Sequence, residues 1–533
     1  MSLYMLPAEI ISLVADRLVS INDLYNFLQA RREFYNLLIW KLYQRNVKDD
    51  GGSALVWYSR HGQESGVRNM LAAGANVNLR EPGPAQTTAL LESVHHNHIR
   101  VVQFLLENGA LPNTADIRSR RPLILAMNGR SDVAITKLLL DYGSTANPIP
   151  LDKRPPLLEA IRSNQESKVA LLLKHGADPH ITEGRGAMNL LHVASAKNAV
   201  PAILKMLIGV GIAVDSHDGF GRTPLQVAAD HSCVRAVRVL LQHGANPNYK
   251  NINRHSEGRT ALFYAVSGKS ARHENKTIIR MLVMHGAEVN SKNCVQQTPL
   301  LYAVSRGAIK QAQALLENGA DIMAKNSNNE TVVHLAISLW GYRPDMLSWL
   351  IETGADMNWI GGKYHETPIF YAIRHFDERK GIESARKILS LGVDIHFRNS
   401  DGLTPLSLAV SMCSIEWAEL LLGYGALVNS KDMQGRSPLH HIAETKLGSA
   451  SKVQAIVSLL IRHGADVNSR DCSGYTPLHR VVAKEWIWGT VGELLKAGAD
   501  RCAMSHDGKF PYDMVPAGPW AETQCLFLRH YPV

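Results

Sequence analysis

A glycine-centred mark recurs thirteen times along this chain. It reads GANVN at 74, GALPN at 109, GSTAN at 143, GADPH at 176, GIAVD at 211, GANPN at 244 and GAEVN at 286. It continues as GADIM at 319, GADMN at 354, GVDIH at 392, GALVN at 425, GADVN at 464 and GADRC at 498, with successive spacings of 33 to 42 residues. Such a period means that each unit is one supersecondary element that cannot bury its apolar face alone, so copies must stack. Stacking also explains how 533 residues avoid the size limit of a single compact core.

A second mark precedes each glycine, usually by 21 to 23 residues. Its best copies are TPLQVA at 223, TPLLYA at 298, TPIFYA at 367, TPLSLA at 404, SPLHHI at 437 and TPLHRV at 476. Threonine can cap a helix through its hydroxyl, and proline fits the first helical position, where its missing N–H is not needed. A second helix follows, as in VRAVRVLLQH at 234–243, which places Val237, Leu240 and Leu241 on one face. Gly244 then stops that helix in the left-handed conformation, and Asn97 is expected to take a positive φ where a helix–helix turn wants glycine.

These marks resemble the ankyrin repeat, whose period and Thr-Pro-Leu-His signature they match over roughly residues 53–533. The resemblance implies an all-α solenoid of about 13 ankyrin repeats, and a protein bound along it. DGKFPYDMV at 507–515 begins a fourteenth copy that departs through PAGPW, so a partial repeat and a C-terminal cap with a more polar outer helix are expected. Four extra residues between Asn248 and Thr260 lengthen one finger between repeats. Ankyrin arrays usually bind partners on that side. Tyr249, Asn251 and Arg254 on this finger, with the finger aromatics Phe220 and Trp359, are therefore the expected target-binding residues. The helical Trp340, Trp349, Trp417, Trp486 and Trp488 are expected in the core.

The head of the chain lacks both marks. LPAEIISLVADRL at 6–18 follows Pro7 with Ile10, Val14 and Leu18 at helical spacing, and Leu24, Phe27 and Leu28 suggest a second helix. REFYNLLIWKLYQRN at 32–46 suggests a third, broken by DDGG at 49–52. This short trihelical module resembles the F-box: Leu6, Pro7, Glu9, Ile10, Ile11, Val14, Leu18 and Leu24 follow that family's order. The head is similar to that of F-box/ankyrin proteins of filamentous fungi, but LQARREFYNLL departs from the family at its later Cys and Trp positions. The resemblance implies that those eight residues bind a Skp-type adaptor and, through it, a cullin ubiquitin ligase. Two alternatives stay open: a ligase-independent scaffold, and a head that merely caps the open face of the array. The expected domains are 1–48 for the F-box-like module, 49–506 for the repeats and 507–533 for the cap.

Composition restricts the other functions. A net charge of +9 is spread without a basic run of five, so nucleic acid is not an expected partner. No apolar run of about 18 residues suggests a membrane span, and no secretory signal opens the chain. Six scattered cysteines without a C-x-x-C pair fit free thiols in an intracellular, cytoplasmic or nuclear setting. His192, His334, His440 and His479 occupy the signature position and are expected to tie turns together. HHNH at 95–98 offers His95 and His98 on one helical turn without a third ligand, and GRGAMN at 184 lacks the lysine of a phosphate loop. No enzyme, metal or cofactor is expected, and a monomer is.

Overall fold

The computed structural model describes residues 32–81, 86–127, 131–148, 155–184, 186–253, 257–268, 272–338, 344–375, 382–444, 449–484, 488–518 and 521–530. They belong to two compact units, Met1–Pro247 and Asn248–Val533. In each unit the described residues are mainly short antiparallel helix pairs, as the two marks require. Ala54–Arg60 with Glu64–Ala72 opens the first unit, and Pro224–Asp230 with Val234–Gln242 is its last pair. In the second unit, Pro299–Ser305 with Ile309–Glu317 and Pro405–Ser411 with Ile415–Gly423 have the same form. Within each unit, first helices pack on first helices and second helices on second helices of the next pair.

Local chemistry sets the helix boundaries. Thr223, Thr298 and Thr404 accept a hydrogen bond from the backbone three residues on, and proline occupies the next position in each case. Thr223 and Gln226 complete a reciprocal capping box. Gly244 ends its helix at φ +82°, and Asn97 turns between helices at φ +62°, both as the sequence predicts. Val237, Leu240 and Leu241 are all buried. Trp417 is a core residue, Trp349 and Trp488 are only half-buried, and Trp340 and Trp486 lie outside the described residues.

Between pairs, one asparagine clamps the next repeat. Asn429 Nδ2 donates to the Gly464 carbonyl at 3.0 Å, and its Oδ1 accepts from the Asp466 N–H at 2.8 Å. Asn78, Asn113 and Asn147 make the same pair of bonds in the first unit, and Asn248, Asn290 and Asn468 in the second. The asparagine of the glycine mark is therefore more than a turn residue. It supplies both the donor and the acceptor that the next helix end lacks.

Three details differ from the sequence reading. The third head helix runs Arg32–Asp50, beyond the expected boundary at 48, and ends only at Gly51 and Gly52, both with positive φ. It continues onto the first repeat: Tyr43 is buried and meets Tyr58 edge-on, and Asn46 Oδ1 accepts from the Ala54 N–H. The signature helix at His440–Glu444 tightens to a 3-10 turn. Fingers with extra residues pair across themselves as small antiparallel hairpins, at Arg80–Thr88, Thr182–Asn189, Asn251–Arg259 and Gly361–Glu366, whereas the sequence reading singled out only the third. The terminal helix Ala521–His530 exposes Leu526 and Phe527 beside the polar Glu522, Thr523 and Arg529, while Leu528 is buried.

Two glycines separate backbone strain from crowding. Gly464 has φ +83° and no atom within 4 Å of a Cβ placed on it, whereas Gly435 has φ +72° and would bring its Cβ 2.9 Å from the Cys472 nitrogen. Gly464→Ala should cost about 1–2 kcal/mol, the usual left-handed penalty. Gly435→Ala should cost a further ~1–3 kcal/mol from overpacking. Urea denaturation of the full chain checks the order, and equal costs would contradict it.

Candidate protein-binding surface

Seven of the described fingers are built on one side-chain oxygen. Asp432 Oδ1 accepts from the Gln434 and Arg436 N–H groups at 2.9 and 2.8 Å. Asp116, Asp218 and Asp471 do the same, and Asn293, Asn326 and Asn399 replace them with an amide oxygen. All of these except the half-buried Asn326 are buried. Each stands five residues before the residue at the Thr position of the signature, a regular signal that the glycine and Thr-Pro marks overshadow. Where the finger-base residue is Asp with Arg four residues on, the second carboxylate oxygen takes that guanidinium: Arg120 on Asp116, Arg222 on Asp218 and Arg436 on Asp432.

Successive fingers join through backbone bonds. In the second unit, Cys294 N–H donates to Glu257 O at 2.7 Å, Ser400 to Tyr364 at 2.9 Å, Cys472 to Gln434 at 2.8 Å and His506 to Ser473 at 3.0 Å. Their edges are therefore partly satisfied, and the side chains that alternate outward are left exposed. Among these, Ile252 is 81% exposed and Met433 67% exposed.

The signature histidines are bonded at both ring nitrogens. Nδ1 of His334, His440 and His479 receives the backbone N–H of Thr331, Ser437 and Thr476 at 3.3, 3.1 and 3.1 Å. A backbone N–H only donates, so Nδ1 carries no proton. Nε2–H must then be the donor to the carbonyls of Glu366, Tyr475 and Lys509 in the next finger. Burial lowers the pKa of all three, and of His192, with His440 down at about 4. His441 next door behaves oppositely. It is fully buried, Nδ1 lies 3.0 Å from Glu444 and Nε2 lies 3.2 Å from Asp432, the latter an ion-pair contact without hydrogen-bond geometry. The two carboxylates outweigh its burial and raise its pKa, while the bonds that Asp432 accepts hold its own down at about 2.

The expected target-binding residues separate. Phe220 is 54% exposed and also lies over Gly186 of the neighbouring finger, where a Cβ would approach its ring to 2.6 Å. Trp359 is half-buried, donates Nε1–H to the Asn329 carbonyl and carries Lys325 over its ring at 4.6 Å. Tyr249 is half-buried. Asn251 is 1% exposed, and its oxygen accepts from the Asn253 N–H, so it shapes the long finger from its base instead of facing a partner. The four-residue insertion follows it, which moves it nine residues from Thr260 and hides its equivalence to the other finger bases. Arg254 lies outside the described residues, as do Leu6, Pro7, Glu9, Ile10, Ile11, Val14, Leu18 and Leu24. In HHNH, the helix ends at His95 and Asn97 reverses the chain, so His95 and His98 do not share a helical turn. His98 instead meets the Arg60 carbonyl at 3.0 Å. No helix among the described residues is long and apolar enough to cross a membrane.

Stacked helix pairs joined by fingers define a helical repeat protein. The chain belongs to the ankyrin-repeat proteins: a three-copy ankyrin model matches 190–293, 253–326, 269–360 and 300–384, and a single-repeat model matches 86–117, 401–433 and 434–472. The chain is 25% identical over 410 residues to the human transient receptor potential cation channel subfamily A member 1, covering 69% of this chain and 36% of that protein. It is 27% identical over 149 residues to the zebrafish putative palmitoyltransferase ZDHHC13, covering 28% and 22%, and 31% identical over 156 residues to mouse inversin, covering 29% and 14%. The matches thus span little more than a third of these relatives at most. The human ASB11 ankyrin repeat domain aligns over 44% of this chain and 98% of its own, at 25% identity and a TM-score of 0.36.

The histidine bonds make stability pH-dependent. Above about pH 6.5 the four signature histidines are neutral in both the folded and unfolded states. Below it the unfolded chain takes up protons that the folded chain refuses. Each histidine then removes about 1.4 kcal/mol per pH unit until its folded pKa is reached. The raised pKa of His441 adds stability that is fully present below pH 6.5 and is lost only on going alkaline, so it does not offset the loss on the acid side. The urea midpoint should therefore fall between pH 7 and pH 5, and an unchanged or higher midpoint would contradict these assignments.

Proposed function

We infer that the ankyrin repeats give this chain a protein–protein interaction role. We propose that it is the substrate-recognition subunit of a Skp/cullin/F-box ubiquitin ligase, with the head on the adaptor and the repeats on a target. The observation that carries this reading is the Leu6-Pro7-x-Glu9 head leading into a helix, Arg32–Asp50, that is docked onto the first repeat. Buried Tyr43 and Asn46 tie that helix to the first repeat. A head joined in this way to a binding array suits a receptor that brings a target to a separate catalytic subunit. Catalysis belongs to the partner in this reading, and no residue here is assigned a catalytic role.

The same docking favours a second reading. A helix that covers the open face of the first repeat is also what a ligase-independent scaffold needs as a cap. The two separate in a pull-down from the native cell. Leu6→Ala with Pro7→Ala should abolish recovery of a Skp-type adaptor and leave repeat-bound partners unchanged. The truncation control should begin at residue 32, because removing Tyr43 and Asn46 would uncap the first repeat. Adaptor recovered by the variant and the truncation as well as by the parent would refute the ligase reading.

A further inference from the structure

In the second unit, the residue immediately before the finger base is basic in six fingers: Lys250, Lys292, Lys325, Arg398, Lys431 and Arg470. All six are exposed, because the finger-base residue that follows points inward and the chain alternates. The cations follow one another along the row. Lys250 Nζ donates to the Lys292 carbonyl at 3.0 Å, Arg398 to the Lys431 carbonyl, Lys431 Nζ to the Arg470 carbonyl at 2.8 Å and Arg470 to the Met504 carbonyl at 2.8 Å. Lys250, Arg398 and Lys431 thus lie against the residue that carries the next cation, whereas Lys325 lies over the Trp359 ring of the next finger.

Their charge is not neutralised. Among the described residues none of the six forms an ion pair, whereas Arg436 pairs with Asp432 and Glu444 and Arg480 with Asp471. The exposed Asp321, Asp394 and Asp466 stand four residues before Lys325, Arg398 and Arg470, but their oxygens accept from the local Met323, His396 and Asn468 N–H groups. The residues beside the cations at the finger tips include the exposed Ile252, Val295, Met433 and Met504.

We propose that this finger row is the docking stripe for an extended, acidic segment of a partner protein. Carboxylates one repeat apart meet successive cations, and apolar side chains between them meet the exposed tips. The proposal rests on the reading of the repeats as a partner-binding array and adds the chemistry of the partner. Charge complementarity selects an acidic occupant, and the interleaved apolar tips favour a peptide over a nucleic acid. A nucleic-acid site would need a denser row of cations, with aromatic side chains on which bases stack.

The test uses the purified full-length chain and a fluorescein-labelled 24-residue peptide repeating Asp-Leu-Glu-Ser, read by fluorescence anisotropy. Saturable binding should weaken at least tenfold from 50 to 300 mM NaCl, and at least tenfold again in Arg398→Glu/Lys431→Glu/Arg470→Glu. The second-helix control Arg235→Glu/Arg238→Glu should bind like the parent, and circular dichroism should show each variant folded. No saturable binding, binding that survives the triple reversal, or tighter binding of a 24-nucleotide single-stranded RNA would overturn the stripe. A native partner still captured by the triple variant would overturn it too, while leaving the array as a binder of proteins. Loss of that partner only in the triple variant supports both.

Discussion

The bonds between one repeat and the next are what the rest of this molecule depends on. A helix pair of about twenty residues has too little core to stand alone, so its register comes from its neighbours. Asparagine clamps such as Asn429 fix the helix ends, and histidine bridges such as His440 to the Tyr475 carbonyl fix the fingers. Both use groups that would otherwise be orphaned at a helix end or a turn. The fold is therefore specified by repeated short-range chemistry, with no need for a single central core.

That register decides where charge can act. A finger-base aspartate spends one oxygen on the turn and the other on an arginine four residues on, as Asp432 does with Arg436. Those charges are consumed by the scaffold. The basic residue just before the finger base forms no ion pair among the described residues and in four fingers reaches a carbonyl of the next finger, as Lys431 meets Arg470. A modest net charge spread over the chain thus becomes an ordered row on one surface of the second unit.

Much of this was legible in the sequence, because each mark has a local physical cause. Gly244 and Asn97 take the positive φ that their positions demand, and the signature prolines open helices. The finger row was less legible. Its Asp or Asn recurs in eight of the described fingers, but a lone Asp in a turn carries no apolar pattern to mark it. Asn251 was read as a contact because the insertion after it breaks the five-residue spacing to the signature. Phe220 and Trp359 fall on fingers as expected, yet both also pack on a neighbour, which depends on glycines and carbonyls from other repeats. The basic row was hidden for a different reason: its members are 33 to 73 residues apart, so no run of charge appears along the chain.

The central claim is that this array holds a partner protein by its fingers. Zero-length carbodiimide crosslinking of the complex purified from native cells tests it most directly, since it joins a lysine only to a carboxylate in contact. The account predicts that partner Asp and Glu residues couple to Lys250, Lys292, Lys325 and Lys431. Coupling concentrated instead on the exposed second-helix residues Lys137, Lys174, Lys310 and Lys387 would contradict it.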